Sequence, residues 1–185
     1  MATGSLKKLN NPFSRVEKQI EVLSDPNVIG FGAKLKETGV YPLSPLNLNT
    51  LQINLGKMCN QVCKHCHVDA GPDRKEIMTK ETMNYCLEVI KNQEVKIVDL
   101  TGGAPEMNPY FRWFVGRVRD VSQQVKIIVR CNLTIILANK KYNDLPSFFK
   151  KHRVEVVSSL PYFASRRTDA QRGNGVFDKS IKAGD

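Results

Sequence analysis

The stretch LQINLGKMCNQVCKHC, residues 51–66, joins an alternating apolar segment to a cluster of cysteines. Its apolar residues recur at every second position up to Leu55, which is typical of a β-strand with one buried face. Gly56 is expected to end this strand, and a polar loop continues to about Ile77. Three cysteines therefore follow the first predicted core strand directly: Cys59, Cys63 and Cys66.

Three further apolar segments follow: VKIVDL (95–100), VKIIVRC (125–131) and VEVVSSL (154–160). Helical patterns separate them. Thr79 is expected to cap a helix with one apolar stripe, Asn108 and Pro109 to begin a second helix, and residues 142–151 to form a third. Strands that alternate with helices predict an α/β fold of parallel βα repeats with right-handed crossovers. Four such units are half of a TIM-type barrel, so the sequence predicts an open sheet or a partial barrel, truncated after about four strands.

The residues most suited to chemistry all follow predicted strands. In parallel sheets, ligands bind at the carboxyl ends of the strands. The sequence therefore predicts one active site there. Its candidates are the three cysteines after the first strand, Gly102 and Gly103 after the second, Asn132 after the third, and Ser158 and Ser159 at the end of the fourth.

The C-x3-C-x2-C spacing of the loop predicts a metal centre, because neighbouring thiolates are strong metal ligands. Two centres fit this pattern. His65 or His67 could complete a Cys3His zinc site, whereas an iron–sulfur cube would use the three thiolates alone and leave one iron open. Cys86 falls on an apolar helix stripe and is predicted to be a core residue. Cys131 ends a strand close to the site, and its role stays open.

Composition narrows the class of protein. The chain has 185 residues and a net charge of +10, with 41% hydrophobic residues, which indicates about one domain. Residues 111–185 hold 15 basic and 6 acidic side chains and carry almost all of this excess. No base-reading motif accompanies the charge, so we do not expect nucleic-acid binding. Clustered thiols and the absence of a long apolar stretch predict a cytoplasmic protein without a membrane span.

Residues 1–48 are predicted to form an N-terminal extension. Ser14 and Glu17 have the spacing of a capping box for a short helix through Leu23, and the connector YPLSPLNLN (41–49) follows. The compact core is expected to comprise residues 49–185 and to be incomplete at its C-terminus.

The cysteine spacing, together with the Gly-Gly-x-x-Glu segment after the second strand, resembles the radical S-adenosylmethionine enzymes. The resemblance implies a [4Fe–4S] cluster held by Cys59, Cys63 and Cys66. It also implies that Gly102, Gly103 and Glu106 bind the methionine end of S-adenosylmethionine, and that Asn132 and Ser158 or Ser159 lie near the rest of the cofactor. His65 occupies a position that is often aromatic in the family. Reductive cleavage of the cofactor would release methionine and a 5′-deoxyadenosyl radical.

Longer segments resemble the arsenosugar-biosynthesis members of this family over about residues 48–182. They include CNQVCKHCHVDAGPDRKE (59–76), DLTGGAPEMNP (99–109) and QRGNGVFDKSI (171–181). This resemblance implies adenosylation of trivalent dimethylarsenic, a low-potential donor such as flavodoxin or ferredoxin, and a complementary C-terminal half. Tyr162 and Phe163 stand near a position where such proteins usually have a cysteine. Two alternatives remain: a zinc-stabilised binding module with a basic surface, or an inactive fragment of a hydrogen-abstracting relative.

Three residues of the HVDAGPDR segment have no role assigned by sequence, and solvated loop positions are the default expectation for them: His67, Asp69 and Arg74. The later segment Arg172-Gly173-x-Gly175 has two interpretations. It could hold a carboxylate or phosphate, or it could be an ordinary turn before a helix.

Overall fold

The computed structural model describes residues 5–27, 29–44 and 46–184. These residues divide into two compact units, Leu6–Asn47 and a larger unit of residues 48–184 together with Ser5. The smaller unit contains helices α1 (Val16–Leu23) and α2 (Phe31–Glu37), neither of which has a buried residue. The larger unit contains the sheet.

The sheet has four strands in the order in which they occur along the chain, and every neighbouring pair is parallel. The strands are β1 (Thr50–Asn54), β2 (Ile97–Thr101), β3 (Lys126–Arg130) and β4 (Val154–Val157). This arrangement confirms the predicted α/β fold of parallel βα repeats, and it matches part of a barrel.

Helices separate the strands and continue after the last one. They are α3 (Lys80–Asn92), α4 (Phe111–Val121), α5 (Thr134–Ala138), α6 (Leu145–Lys151), α7 (Ser165–Arg172) and α8 (Val176–Gly184). Thr79 caps α3 as predicted, since its hydroxyl accepts a hydrogen bond from the Thr82 amide at 3.2 Å. Asn108 begins the turn into α4 by accepting from the Tyr110 amide at 2.8 Å.

The hydrophobic core lies on one face of the sheet, against α3, α4 and α6. Alternate strand residues such as Val98 and Ile127 are fully buried there, and they pack with helix residues such as Met83 and Phe114. The strand residues that alternate with these buried ones point to the opposite face of the sheet, where polar side chains predominate. Because successive strand residues point to opposite faces, one face of the sheet packs in the apolar core and the other carries polar side chains that can contact a ligand.

Several predicted boundaries are wrong. The capping box does not form: Arg15 is the N-cap of α1, and Ser14 belongs to the preceding 3-10 turn Pro12–Ser14. The helix predicted over 142–151 splits into a 3-10 turn, Lys140–Tyr142, and α6, because Pro146 favours a new helix start at that point. Cys86 is only partly buried, although it packs against the core.

Candidate functional site

A cavity of about 650 Å³ opens at the carboxyl ends of the four strands. Most of the candidates that sequence reasoning placed there do line it. They are Cys59, Cys63, Cys66, Gly102, Gly103, Asn132, Ser158 and Ser159. The parallel sheet thus brings together residues that lie up to about a hundred positions apart in the chain.

Backbone hydrogen bonds fix the loop that carries the three cysteines. The Cys59 amide donates to the Gly71 carbonyl at 3.2 Å, and the Cys66 amide donates to the Cys63 carbonyl at 3.1 Å. The Ala70 amide donates to the Cys66 sulfur at 3.3 Å. The loop therefore has a defined conformation that presents its sulfur atoms to the cavity.

Burial makes the thiols of Cys59 and Cys63 hard to ionise. It raises the pKa of Cys59 to about 11, and it also raises the pKa of Cys63, where the nearby Arg172 guanidinium opposes the change. At neutral pH both groups are therefore protonated thiols. A bound cation would have to displace their protons, as thiolate metal sites do.

Three cysteine thiols of one loop are the candidate metal donors of this cavity. Within residues 5–27, 29–44 and 46–184, no three His, Cys, Asp or Glu side chains lie close enough together to hold one metal ion. A structural zinc site needs four ligands at about 2 Å from one centre. An iron–sulfur cube binds each thiolate through a different iron, so its three sulfurs can stay further apart. All three cysteines line the same cavity, so they could serve as the three thiolate ligands of such a cluster.

The Gly-Gly turn after β2 packs directly against the cysteine loop. The Gly103 amide donates to the Gly56 carbonyl at 2.9 Å, and the Ala104 amide donates to the Met58 carbonyl at 2.8 Å. Gly102 has φ 140°, a conformation that favours glycine, and a Cβ on Gly103 would collide with the Met58 carbonyl. Glycine at these positions lets the turn approach the loop closely and leaves backbone open to the cavity.

Glu106 lies behind the cavity and is not among its lining residues. It is 6% exposed, and no cation pairs with its carboxylate among the described residues. Burial raises its pKa to about 7, and the buried Cys131 thiol lies beside it. An uncompensated buried carboxylate of this kind can be stabilised by an ammonium group.

Asn132 ties the third strand to the cysteine loop. Its side-chain amide donates to the Asn60 side-chain oxygen at 3.1 Å and to the Cys59 sulfur at 3.5 Å. The Ser159 hydroxyl accepts a hydrogen bond from Arg172 at 2.6 Å. Ser158 also lines the cavity.

Sequence reasoning missed two polar residues that hold this end of the site. Gln61 is buried and donates to the Thr134 hydroxyl at 2.8 Å, which links the cysteine loop to α5. Gln61 lies between Cys59 and Cys63, where the cysteine motif does not specify a residue type, so the sequence did not indicate its role. The short helix α5 was not predicted.

Arg74 is also different from expectation. The default interpretation as a solvated loop residue is wrong, because its side chain is 5% exposed and pairs with Asp69 at 2.5 Å and with Glu76 at 2.8 Å. His67 lines the cavity. Ion pairs therefore hold the HVDAGPDR segment (67–74) in a defined conformation.

Comparisons with known proteins agree with this geometry. No protein-family model matches the chain. A probable GTP 3′,8-cyclase from Pyrococcus horikoshii is 27% identical over 93 residues, which are 50% of this chain and 30% of the relative. A probable GTP 3′,8-cyclase from Saccharolobus islandicus is 35% identical over 76 residues, or 41% of this chain and 24% of the relative. The chain thus spans about a quarter to a third of these relatives.

Solved structures share the fold. Streptococcus suis SuiB bound to the precursor peptide SuiA superposes with a TM-score of 0.60 at 21% identity, over 82% of this chain and 32% of SuiB. The enzyme anSMEcpe with bound AdoMet and a peptide gives a TM-score of 0.58 at 18% identity, over 73% of this chain and 38% of its own. This likeness shows that the chain shares the fold of these structures.

No helix in the described parts of the chain is both long and apolar enough to cross a bilayer.

Proposed function

We propose that this chain binds a [4Fe–4S] cluster and S-adenosylmethionine and takes part in the adenosylation of trivalent dimethylarsenic. The observation that carries the first part is the shared cavity: three cysteines of one loop and a Gly-Gly turn line it together at the carboxyl edge of a parallel sheet. The arsenosugar-type segments 59–76, 99–109 and 171–181 motivate the substrate.

The chain's own residues have distinct roles in this proposal. Cys59, Cys63 and Cys66 would hold the cluster, and the Gly102-Gly103 backbone would lie along the methionine moiety. The buried carboxylate of Glu106 suits the methionine ammonium, because a charge-assisted hydrogen bond would offset its desolvation. Asn132 and Ser158 would contact the remaining polar atoms of the cofactor.

When bound, the cluster supplies the electron that cleaves the C–S bond of S-adenosylmethionine. In the net reaction with dimethylarsinous acid, that C–S bond breaks and a bond forms between the 5′ carbon and arsenic. Arsenic rises from +3 to +5, and methionine and one proton leave. The net reaction consumes no external electron, so a flavodoxin- or ferredoxin-type donor would only prime the site.

Metal content tests the first part of the proposal. Protein that is purified and reconstituted anaerobically should be brown and contain about four iron and four sulfide per chain. Stoichiometric zinc without iron would reject the cluster and favour a zinc-stabilised module.

Product analysis tests the substrate. Reduced protein, supplied with S-adenosylmethionine and trivalent dimethylarsenic, is expected to give a nucleoside with arsenic bonded to the 5′ carbon, as detected by mass spectrometry. The same assay should be run with the complementary C-terminal half added in trans. Release of 5′-deoxyadenosine with the arsenical unchanged in both assays would reject the arsenic chemistry and retain the cofactor chemistry.

A further inference from the structure

A cluster of polar side chains lies on the inner face of the sheet, below the cysteines. Gln52, Asp99 and Arg130 come from the three neighbouring strands β1, β2 and β3, and Gln52 lies directly opposite Asp99 in the register. Gln52 and Arg130 line the cavity. The roles proposed above for the cofactor use none of the three.

The Asp99 carboxylate orients the Arg130 guanidinium. The Asp99 side chain is 5% exposed, whereas that of Arg130 is 50% exposed. Arg130 donates from Nε and Nη2 to the Asp99 carboxylate at 3.0 and 2.9 Å, and Gln52 donates to the same carboxylate at 2.9 Å. A buried carboxylate held from two sides keeps the planar guanidinium in one orientation.

This arrangement leaves hydrogen-bond donors facing the cavity. The Nη1 atom of Arg130 donates to no described residue, so both of its N–H groups are free for a ligand. Among the cavity-lining residues that the structure describes there is no Asp or Glu, and Arg172 supplies a second positive charge. Asp99 offsets the charge of Arg130, but the cavity as a whole favours a ligand group with acceptor oxygens.

Arg130 lies apart from the thiol end of the cavity. Arg172 donates to the Ser159 hydroxyl at 2.6 Å, and its charge acts on Cys63, so it belongs to the cysteine side. Arg130 precedes Asn132 by two residues along the strand direction, a separation of about 7 Å. A group held by Arg130 would therefore lie deeper in the cavity than one held near the cysteines.

We propose that Arg130, aligned by Asp99, binds a carboxylate or phosphate group of the substrate. The inference rests on the proposed function, because it assigns this anchor to the molecule that the cofactor modifies. Dimethylarsinous acid has neither group, so the substrate in this inference is its conjugate with a carboxylate-bearing thiol. Trivalent arsenic binds thiolates readily, and the conjugate forms with loss of water. The anchor sets how far the reacting atom lies from the cofactor, and thereby selects the substrate.

The test uses the full, metal-free chain, labelled with ¹⁵N, and follows the Arg130 Nε signal by NMR. Sodium acetate and inorganic phosphate are titrated separately, with chloride keeping the ionic strength constant. Acetate or phosphate is expected to shift this signal saturably, and the ion that saturates at the lower concentration identifies the carboxylate or phosphate source. In Arg130→Lys the affinity, measured on neighbouring backbone amides, should fall about tenfold, because a single ammonium replaces a planar two-nitrogen fork.

A matched control is Arg117→Lys, since Arg117 is 49% exposed, as Arg130 is to a similar extent, and pairs with Asp120 outside this cavity. It should bind the anions as the unmodified chain does. Shifts no larger than those in chloride, or unchanged binding in the Arg130→Lys variant, would overturn the inference. Displacement of acetate by S-adenosylmethionine would assign Arg130 to the cofactor and overturn it too. Anion binding by a chain that takes up no iron would support the anion site and reject the proposed reaction, so the two failures are distinguishable.

Discussion

The five cysteines provide a matched set of variants at the scale of single residues. Cys59, Cys63 and Cys66 line the cavity, whereas Cys86 lies on α3 and packs against the core. Changing any one of the first three to Ala should abolish cluster retention, as measured by bound iron and sulfide. Cys86→Ala should retain the cluster and lower the free energy of unfolding by about 1 kcal/mol. Equal iron loss in the Cys86 variant would contradict the assignment.

Arg74 is predicted to position the loop near Cys66. It pairs with Asp69, whose own amide donates to the Cys66 carbonyl at 3.1 Å. Arg74→Gln should lower the free energy of unfolding by about 2 kcal/mol, because it removes the ion pair that the buried Arg74 makes with Asp69.

The readout specific to Arg74 is thiol accessibility. In the metal-free variant, Cys66 should be alkylated several-fold faster than in the unmodified chain, as measured by mass spectrometry, while the rate for Cys86 stays the same. Arg117→Gln serves as the control. An unchanged Cys66 rate would mean that Arg74 stabilises the fold without positioning the loop.

The Asp99 and Arg130 pair predicts a specific pH dependence. The hydrogen bond from Arg130 lowers the pKa of Asp99, so the folded protein favours the ionised carboxylate. The resulting stability is present above about pH 4 and is lost as the pH falls through the lowered pKa. Asp99→Asn should therefore destabilise the chain at pH 7, with a difference from the unmodified chain that shrinks in acid. A constant difference from pH 7 to pH 3 in urea unfolding would contradict this prediction.

At the scale of elements, the turn after β2 and the helix α4 each contain a glycine that can be compared. A Cβ on Gly103 would meet the Met58 carbonyl and, at 2.9 Å, the Ala70 Cβ, whereas a Cβ on Gly116 would have its nearest neighbour, the His152 ring, at 4.0 Å. Gly103→Ala should push the turn away from the cysteine loop and destabilise the chain by about 1–3 kcal/mol. Thermal unfolding and bound iron should both decrease.

Gly116→Ala is the control for this prediction. It lies inside α4, where alanine has a higher helix propensity, so the melting temperature should stay the same or rise. Equal destabilisation by both substitutions would show that the close approach at Gly103 is not the cause.

At the scale of the whole molecule, we propose that the sheet folds without the residues that precede Leu48. The helices α1 and α2 of the smaller unit have no buried residue, so they form no hydrophobic core of their own. A chain that begins at Leu48 should melt within about 4 °C of the full chain. This shorter chain also loses the hydrogen bond from Ser5 to Asp73, so we expect a small decrease in its melting temperature. A large loss of melting temperature would show that the N-terminal segment stabilises the sheet.

The amino-acid sequence alone determined the alternation of strands and helices, the residues after each strand, and the spacing of the three cysteines. These features are local: a two-residue or 3.6-residue period and a short motif are complete within a few turns of chain. The short helices α5 and α7 were not predicted, because five residues carry too little periodicity in one case and the other is polar all round.

Only the tertiary structure decided which polar residues act together. Gln52 and Asp99 are 47 positions apart, and Asp99 and Arg130 are 31 apart, so their contact depends on the register of three strands. The burial of Glu106 beside Cys131, and of Arg74 under the cysteine loop, likewise depends on packing against distant residues. Burial and hydrogen bonding between distant residues are set by how the elements pack, and no local pattern encodes that packing.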